Sequence, residues 1–167
     1  MAEFERRYIA DYMREKWPRG GYGLNVPLGP IPESLIQTEG LDGAIAKFRP
    51  WRPEIDAVYY SDAGLILIEA KVFKTFDAIG KLRMYNDLVT TTPEFRPWYN
   101  KPIQLRLVTP RITQALQLMA NALNIIVDVY LTDAVKEHAQ HYEEYWTREA
   151  TMARQERKAK MKAAGIV

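Results

Sequence analysis

The feature that most constrains the fold is an apolar segment that ends in charged residues. Residues 65–71 are Leu-Ile-Leu-Ile-Glu-Ala-Lys, and such a nearly continuous apolar run is typical of a central strand buried on both faces. A second strand is predicted at 53–60, and the Ser-Asp-Ala-Gly between them has the composition of a tight turn. Because side chains alternate along a strand, Glu69 and Lys71 share one face, and Asp56 on the partner strand can join them.

Composition limits the class of protein. The 167 residues are 47% hydrophobic and 26% charged, which is enough for one domain with a substantial core. Without cysteine there is no disulfide framework and no thiolate metal site, as expected in a reducing compartment. The charged start lacks a signal core, and no run approaches the roughly 20 apolar residues of a membrane span. We expect a cytoplasmic protein with no membrane contact, or a virion-associated one if the chain is viral.

The net charge of +2 conceals a basic segment near the C-terminus. Six Lys or Arg residues and two Glu residues lie at 148–162, so this segment carries +4 and the rest of the chain −2. Such a segment can bind phosphates, and Arg154, Arg157 and Lys158 are predicted to contact nucleic acid. The alternative is a solvated helix with ion pairs between residues four apart.

Hydrophobic periodicity and turn residues predict the remaining elements. Helices are expected at 3–17, 75–89, 112–123 and most of 133–164, and strands at 22–28, 103–109 and 125–131. The stretch 29–52 is predicted to be a long irregular segment with one short helix at 41–48, and 90–102 a second loop that contains prolines. Strands that alternate with helices require crossovers, so the predicted fold class is α/β with a mixed central sheet flanked by helices and a long C-terminal helix.

The charged end of the hairpin has the residue types that a metal-dependent phosphodiesterase needs. Phosphodiester hydrolysis requires a nucleophilic water and neutralisation of charge, and hard oxygen ligands hold Mg²⁺ or Mn²⁺ while leaving positions open for water and phosphate. Asp56 and Glu69 can supply carboxylates, and the backbone carbonyl of Ala70 can add a ligand. Lys71 can orient the water or stabilise the developing charge.

Asp56, followed 13 positions later by Glu69-Ala70-Lys71 on an apolar strand, resembles the PD-(D/E)XK nuclease superfamily. The preceding helix, the hairpin, the following helix and the next strand match the core order of that superfamily. The residue directly before Asp56 is Ile55 rather than the proline of the motif. The resemblance implies a restriction-endonuclease-like core, here assigned to 1–132, followed by a helical basic extension at 133–167.

The resemblance also implies roles for residues outside the hairpin. In resolvase-like members a glutamate early in the first helix completes the metal site, and Glu5 takes that position here. In RecB-type members the helix after the hairpin carries a glutamine and, four residues later, a tyrosine. Lys81 replaces that glutamine and Tyr85 matches, so both are predicted to contact nucleic acid, with a surface cation and a half-buried ring as the alternative. Lys74 follows the motif closely and is a further candidate for phosphate contact, with a solvated lysine as the alternative.

The sequence leaves two functions open. The first is a Mg²⁺- or Mn²⁺-dependent nuclease that cleaves DNA, with Asp56, Glu69 and Lys71 as catalytic residues. The second is a nuclease-fold module that binds DNA or protein without cutting, as a homo-oligomer or as a subunit of a larger assembly such as phage packaging machinery. The superfamily includes members that kept the fold and lost activity.

Overall fold

The computed structural model describes residues 2–73, 75–138 and 148–163. The chain forms two compact units, Met1–Tyr130 and Leu131–Val167. The helices of the first unit are α1 (Ala2–Lys16), α2 (Glu33–Phe48), α3 (Thr75–Leu88) and α4 (Gln114–Ala122). The second unit contains α5 (133–138) and α6 (Arg148–Ala163). None of the helices in the described residues is long and apolar enough to cross a membrane.

The first unit is built on a five-stranded sheet. Its strands lie side by side in chain order: β1 (Tyr22–Pro27), β2 (Glu54–Ser61), β3 (Gly64–Ala70), β4 (Ile103–Thr109) and β5 (Ile125–Val129). β2 is antiparallel to β1 and β3, whereas β4 is parallel to β3 and β5. The two parallel pairs are joined by crossovers through α3 and α4, as parallel strands require. The structure therefore confirms the predicted mixed sheet flanked by helices.

β2 and β3 form the predicted hairpin. The Ser61 hydroxyl closes the turn, because it accepts the Gly64 N–H at 3.1 Å and donates to the Gly64 carbonyl at 2.9 Å. Ala57 pairs with Ile68, so the same register continued by one residue places Asp56 opposite Glu69. β3 lies between β2 and β4, and almost all of its side chains are buried, which agrees with its apolar sequence.

Both faces of the sheet are covered. One core cluster combines side chains of the central strands with side chains of α3, among them Val58, Leu67, Leu107, Ile79 and Leu82. The alternate residues of the same strands, such as Ala57 and Ile68, are buried as well. α1 contacts β2 and β3 on that side and presents four buried side chains, Tyr8, Ile9, Tyr12 and Met13. The Tyr8 hydroxyl also donates to the carbonyl of Tyr130 at 2.6 Å, which fixes α1 against the sheet.

The structure corrects the prediction for residues 29–52. In place of a long irregular segment with a short helix at 41–48, α2 occupies 16 residues and is broken only at Gly40, where φ is 72° and ψ is 169°. Two of the three prolines precede the first helical residue and the third follows the last, so none interrupts the helix. Gly40 adopts the positive φ at little steric cost and lets the two halves change direction.

The other predicted elements of the first unit agree with the structure to within two residues at each end. The predicted loop at 90–102 contains two short 3₁₀ helices, Val89–Thr91 and Pro93–Trp98, and a third, Arg49–Trp51, follows α2. Of the helix predicted at 133–164, residues 139–147 and 164 lie outside the described residues.

Replacing Gly64 by alanine is expected to lower the free energy of unfolding by about 2–3 kcal/mol. Gly64 has a φ of 152°, and a Cβ there would lie 2.2 Å from the carbonyl oxygen of Pro102. The matched control is Gly80→Ala in α3, where a Cβ meets no atom within 4 Å. Alanine is the better helix former, so this control should gain up to about 1 kcal/mol. Urea denaturation measures both values, and equal stability of the two variants would contradict the close approach.

Candidate functional site

Charged side chains from four elements of the first unit meet where β2 begins and β3 ends. They are Glu5 of α1, Asp56 of β2, Glu69 and Lys71 at the end of β3, and Lys81 of α3. The Lys71 N–H donates to the carbonyl of Val108 at 2.9 Å, which extends the pairing of β3 with β4 beyond the last strand residue. The backbone that carries Glu69 and Lys71 is therefore held from the β4 side.

The carboxylate of Asp56 is oriented by the opposite strand. Its Oδ2 accepts the backbone N–H of Ala70 at 2.8 Å. Burial raises the pKa of Asp56, while that hydrogen bond and the charges of Lys71 and Lys81 oppose the rise. Asp56 is thus a fixed carboxylate in a partly buried position, and a nearby positive charge would favour its ionised form.

Glu69 is the most buried charged group of the site, with its side chain 1% exposed. Its Oε1 accepts a hydrogen bond from Lys81 Nζ at 2.9 Å. Its Oε2 is buried and has no hydrogen-bond partner among the described residues. Burial and then the charge of Asp56 raise the pKa of Glu69 to about 7, against the opposing effects of Lys81 and Lys71. A buried oxygen without a partner is unfavourable and leaves lone pairs open to a cation.

Lys71 is held by α1. Its Nζ donates to Glu5 Oε2 at 2.9 Å, and the two side chains are only 19% and 17% exposed. Burial alone would lower the pKa of Lys71, but the hydrogen bond and charge of Glu5, with the charges of Glu69 and Asp56, raise it above its ordinary value. Lys71 is therefore a cation at neutral pH.

The structure brings together the predicted catalytic residues Asp56, Glu69 and Lys71 and places Glu5 on Lys71. The position of Lys81 against Glu69 was not predicted. A glutamate on a buried strand needs a counter-charge, and Lys81 is the first cation of the following helix. The sequence therefore contained enough information to predict this ion pair.

The predicted nucleic-acid contacts are distributed over both units. The ring of Tyr85 is buried in the core, and its hydroxyl donates to the carbonyl of Glu54 at 2.7 Å. Arg157 and Lys158 are exposed on α6. Lys74 and the side chain of Arg154 lie outside the described part of the chain. Contact of these residues with nucleic acid stays a prediction.

The donor set of the site suits a hard cation. Among the described residues, no three His, Cys, Asp or Glu side chains are already gathered as a metal site. Asp56 and Glu69 nevertheless offer oxygen donors across the hairpin, and one of these oxygens is buried without a partner. Both carboxyl groups have raised pKa values, which a bound positive charge would lower. These residues therefore fit Mg²⁺ or Mn²⁺, the ions that prefer carboxylate, carbonyl and water ligands.

The raised pKa of Glu69 predicts a pH-dependent stability in cation-free buffer. The carboxyl group has a pKa of 4.5 ordinarily and about 7 in the folded protein, so the folded state binds more protons between these values. The contribution of Glu69 to the free energy of unfolding should therefore be greatest below about pH 4.5 and should be lost as the pH rises through about 7. Glu69→Gln should flatten this decline, whereas Glu3→Gln on the exposed surface should not. Urea denaturation across this pH range with EDTA gives the slopes, and identical slopes in wild type and Glu69→Gln would contradict the assignment.

No family model matches the chain, and no curated protein matches it. A repair endonuclease from Pyrococcus abyssi is a solved structure with partial similarity, at 16% identity and a TM-score of 0.46. The alignment covers 77% of this chain and 46% of that one, so this chain spans just under half the length of that protein.

Proposed function

We propose that the protein is a nuclease that hydrolyses DNA phosphodiester bonds with the help of Mg²⁺ or Mn²⁺. The observation that supports this most directly is the carboxylate pair of Asp56 and Glu69. The two residues lie opposite each other across the hairpin, and Glu69 Oε2 is buried without a partner. Two lysines flank the pair, so the same end of these two strands offers ligands for a cation and positive charge for a phosphate.

Asp56 and Glu69 would hold the cation, together with the carbonyl of Ala70. When bound, the cation supplies neutralisation of phosphate charge and a lowered pKa of bound water. The Ala70 N–H keeps the Asp56 carboxylate in one orientation. The burial of Glu69 keeps bulk water away from one side of the site, which strengthens electrostatic interactions there.

Lys71 has a role that follows from its charge. Because its pKa is raised, it holds its proton at neutral pH and is a hydrogen-bond donor rather than a general base. We assign it to stabilising negative charge on the phosphate or orienting the attacking water. Glu5 keeps the ammonium in place. Lys81 neutralises Glu69 when no cation is bound, and at 46% exposure its side chain has room to turn away when one is bound.

Cation dependence tests the proposal. Purified protein is incubated with circular, linear and single-stranded DNA in EDTA, Mg²⁺ or Mn²⁺. We expect cleavage with either cation and none in EDTA, and a rise in unfolding temperature of the wild type with either cation. Glu69→Gln should lose most of that rise. A folded wild type that neither cuts DNA nor gains stability from the cations would refute the proposal.

A non-cleaving module is the second candidate, and one observation favours it. Lys71 and Lys81 are both paired with carboxylates, so the charged network is largely complete without a metal. Such a network can serve to hold α1 and α3 on the sheet. In that case DNA or protein binding would be the same in EDTA and in Mg²⁺, and no variant of Asp56 would alter it. Membership of a larger assembly, viral or not, stays a prediction.

A further inference from the structure

A short segment before β2 combines cations with aromatic rings. Residues 47–52 are Lys-Phe-Arg-Pro-Trp-Arg, which places three cations and two aromatic rings in six positions without an acid. We call these residues the basic aromatic segment. It runs from the end of α2 through the 3₁₀ helix Arg49–Trp51 toward β2. The proposed cation site at Asp56 and Glu69, called the carboxylate site below, does not account for this composition.

The indole ring of Trp51 is unusually exposed. Trp51 is 71% exposed, the highest value among the large apolar side chains of the described residues that face solvent. Its ring lies nearly parallel to that of Phe48, with 20° between the planes and 5.9 Å between the centroids. The two rings border an open cavity of about 330 Å³, which Pro32, Leu35 and Lys47 also line. Trp51 therefore presents its indole ring to solvent, backed by the partly buried ring of Phe48.

The basic aromatic segment is held rigidly. The side chain of Arg52 is 1% exposed and binds Glu94 through two nitrogens, at 2.6 and 2.9 Å. Arg49 donates to the carbonyl of Asn25 at 2.8 Å and lies 3.2 Å from a carboxylate oxygen of Glu54. These contacts fix the backbone on both sides of Trp51. The exposure of Trp51 is thus a property of an anchored segment, and a preorganised surface loses little conformational freedom on binding.

Charge and position relate this surface to the carboxylate site. The side chains of Lys47 and Arg49 are 60% and 51% exposed and border the aromatic rings, and each forms a surface ion pair, with Glu39 at 2.8 Å and with Glu54 at 3.2 Å. Exposed pairs of this kind contribute little stability, so a phosphate can compete for the cation. Trp51 precedes Asp56 by five residues, which span at most about 17 Å of extended chain. Each strand of duplex DNA rises about 3.4 Å per nucleotide and an unpaired strand extends further, so this distance corresponds to about five nucleotides or fewer.

We propose that Trp51 and Phe48 form a stacking platform for an unpaired base of the DNA strand that the carboxylate site acts on. This inference rests on the proposed nuclease function and names its substrate class, DNA with a single-stranded segment. Aromatic side chains bind single strands by stacking, because every base has a flat face, whereas the faces of duplex bases already stack on their neighbours. Lys47 contacts a flanking phosphate in place of its exposed ion pair with Glu39.

Binding of single-stranded and duplex DNA tests the platform. Fluorescence anisotropy is measured in EDTA with a labelled single strand of about 15 nucleotides, within the usual site size, and with a blunt duplex of the same sequence. Trp51→Ala should weaken single-strand binding by about 5- to 100-fold and duplex binding by less than about twofold. Trp51→Phe should retain most of the affinity. Leu118→Ala, which removes another side chain 62% exposed, should bind both DNAs like the wild type.

Two results would overturn the platform: Trp51→Ala could bind the single strand like the wild type, or it could lose duplex binding equally. In the first case, loss of self-association in sedimentation experiments would assign Trp51 to an interface between copies of the chain. DNA cleavage is measured separately from binding. If the wild type cuts no DNA but only Trp51→Ala loses affinity for the single strand, the platform is supported and the nuclease function is refuted. Duplex cleavage with no effect of Trp51→Ala on single strands does the reverse.

Discussion

Replacing Asp56 by asparagine is expected to lower the rate of DNA cleavage by about 10³-fold while the protein remains folded. The substitution removes the negative charge that the proposed cation needs. The side-chain amide oxygen can still accept the Ala70 N–H that Asp56 accepts at 2.8 Å. The pKa of Glu69 should fall, because the charge of Asp56 contributes to its rise. The variant should therefore be as stable as the wild type or more stable, as is common where a functional site carries unfavourable charge.

The control for this variant lies in the same hairpin. Asp62 is an exposed carboxylate in the turn between β2 and β3, so Asp62→Asn makes the same chemical change outside the site. Initial rates on a fluorescent DNA substrate and urea midpoints are compared for the two variants and the wild type. Wild-type cleavage by Asp56→Asn, or an equal loss in both variants, would contradict the role of Asp56.

Glu94→Ala is expected to lower the free energy of unfolding by about 3–5 kcal/mol. The guanidinium of Arg52 is buried, and Glu94 binds it through both carboxylate oxygens at 2.6 and 2.9 Å. The Nη2 of Arg52 also donates to the carbonyl of Pro27 at 3.3 Å, and the Nε of Arg52 has no partner among the described residues. Removal of the carboxylate would leave a buried cation largely uncompensated, which is far more costly than loss of a surface ion pair.

The matched control is Glu3→Ala. Glu3 and Arg7 form an ion pair of similar length, 3.0 Å, but their side chains are 82% and 78% exposed. Loss of this pair should change stability by less than about 1 kcal/mol. Urea denaturation is measured for both variants and for the double variant Arg52→Met and Glu94→Ala. The double variant lacks the buried cation as well as the ion pair, so it separates the cost of an unpaired buried charge from the loss of the contact. We expect the double variant to recover part of the loss, and a Glu94→Ala variant as stable as Glu3→Ala would contradict the buried pair.

The strand pattern and the hairpin that carries the acidic residues were predictable from sequence because their signals are local. A continuous apolar strand, a tight turn and alternating side chains determine that Asp56 and Glu69 face each other. These features depend on residues within about 20 positions. The same locality explains why the helix bounds of the first unit outside 29–52 are close to those predicted.

The missed features depend on long-range contacts or on ambiguous residues. Prolines at the two ends of α2 have the same composition signal as prolines in a loop, so only the second half of the helix, 41–48, was predicted. The partner of Glu69 depends on how α3 packs on β3, which periodicity does not specify. The composition of the basic aromatic segment at 47–52 can be read from the sequence, but its anchoring depends on the contact of Arg52 with Glu94, 42 positions away.

The hairpin has a consequence for the order in which the site assembles during folding. Asp56 and Glu69 are joined by a tight turn, and hairpins of this kind form within about 1–10 μs. Glu5 and Lys71 are 66 positions apart, so their contact requires closure of a long loop and docking of α1, which is slower. The hairpin contact that sets Asp56 opposite Glu69 is therefore local, whereas the contact that holds Lys71 completes the site only when α1 has docked.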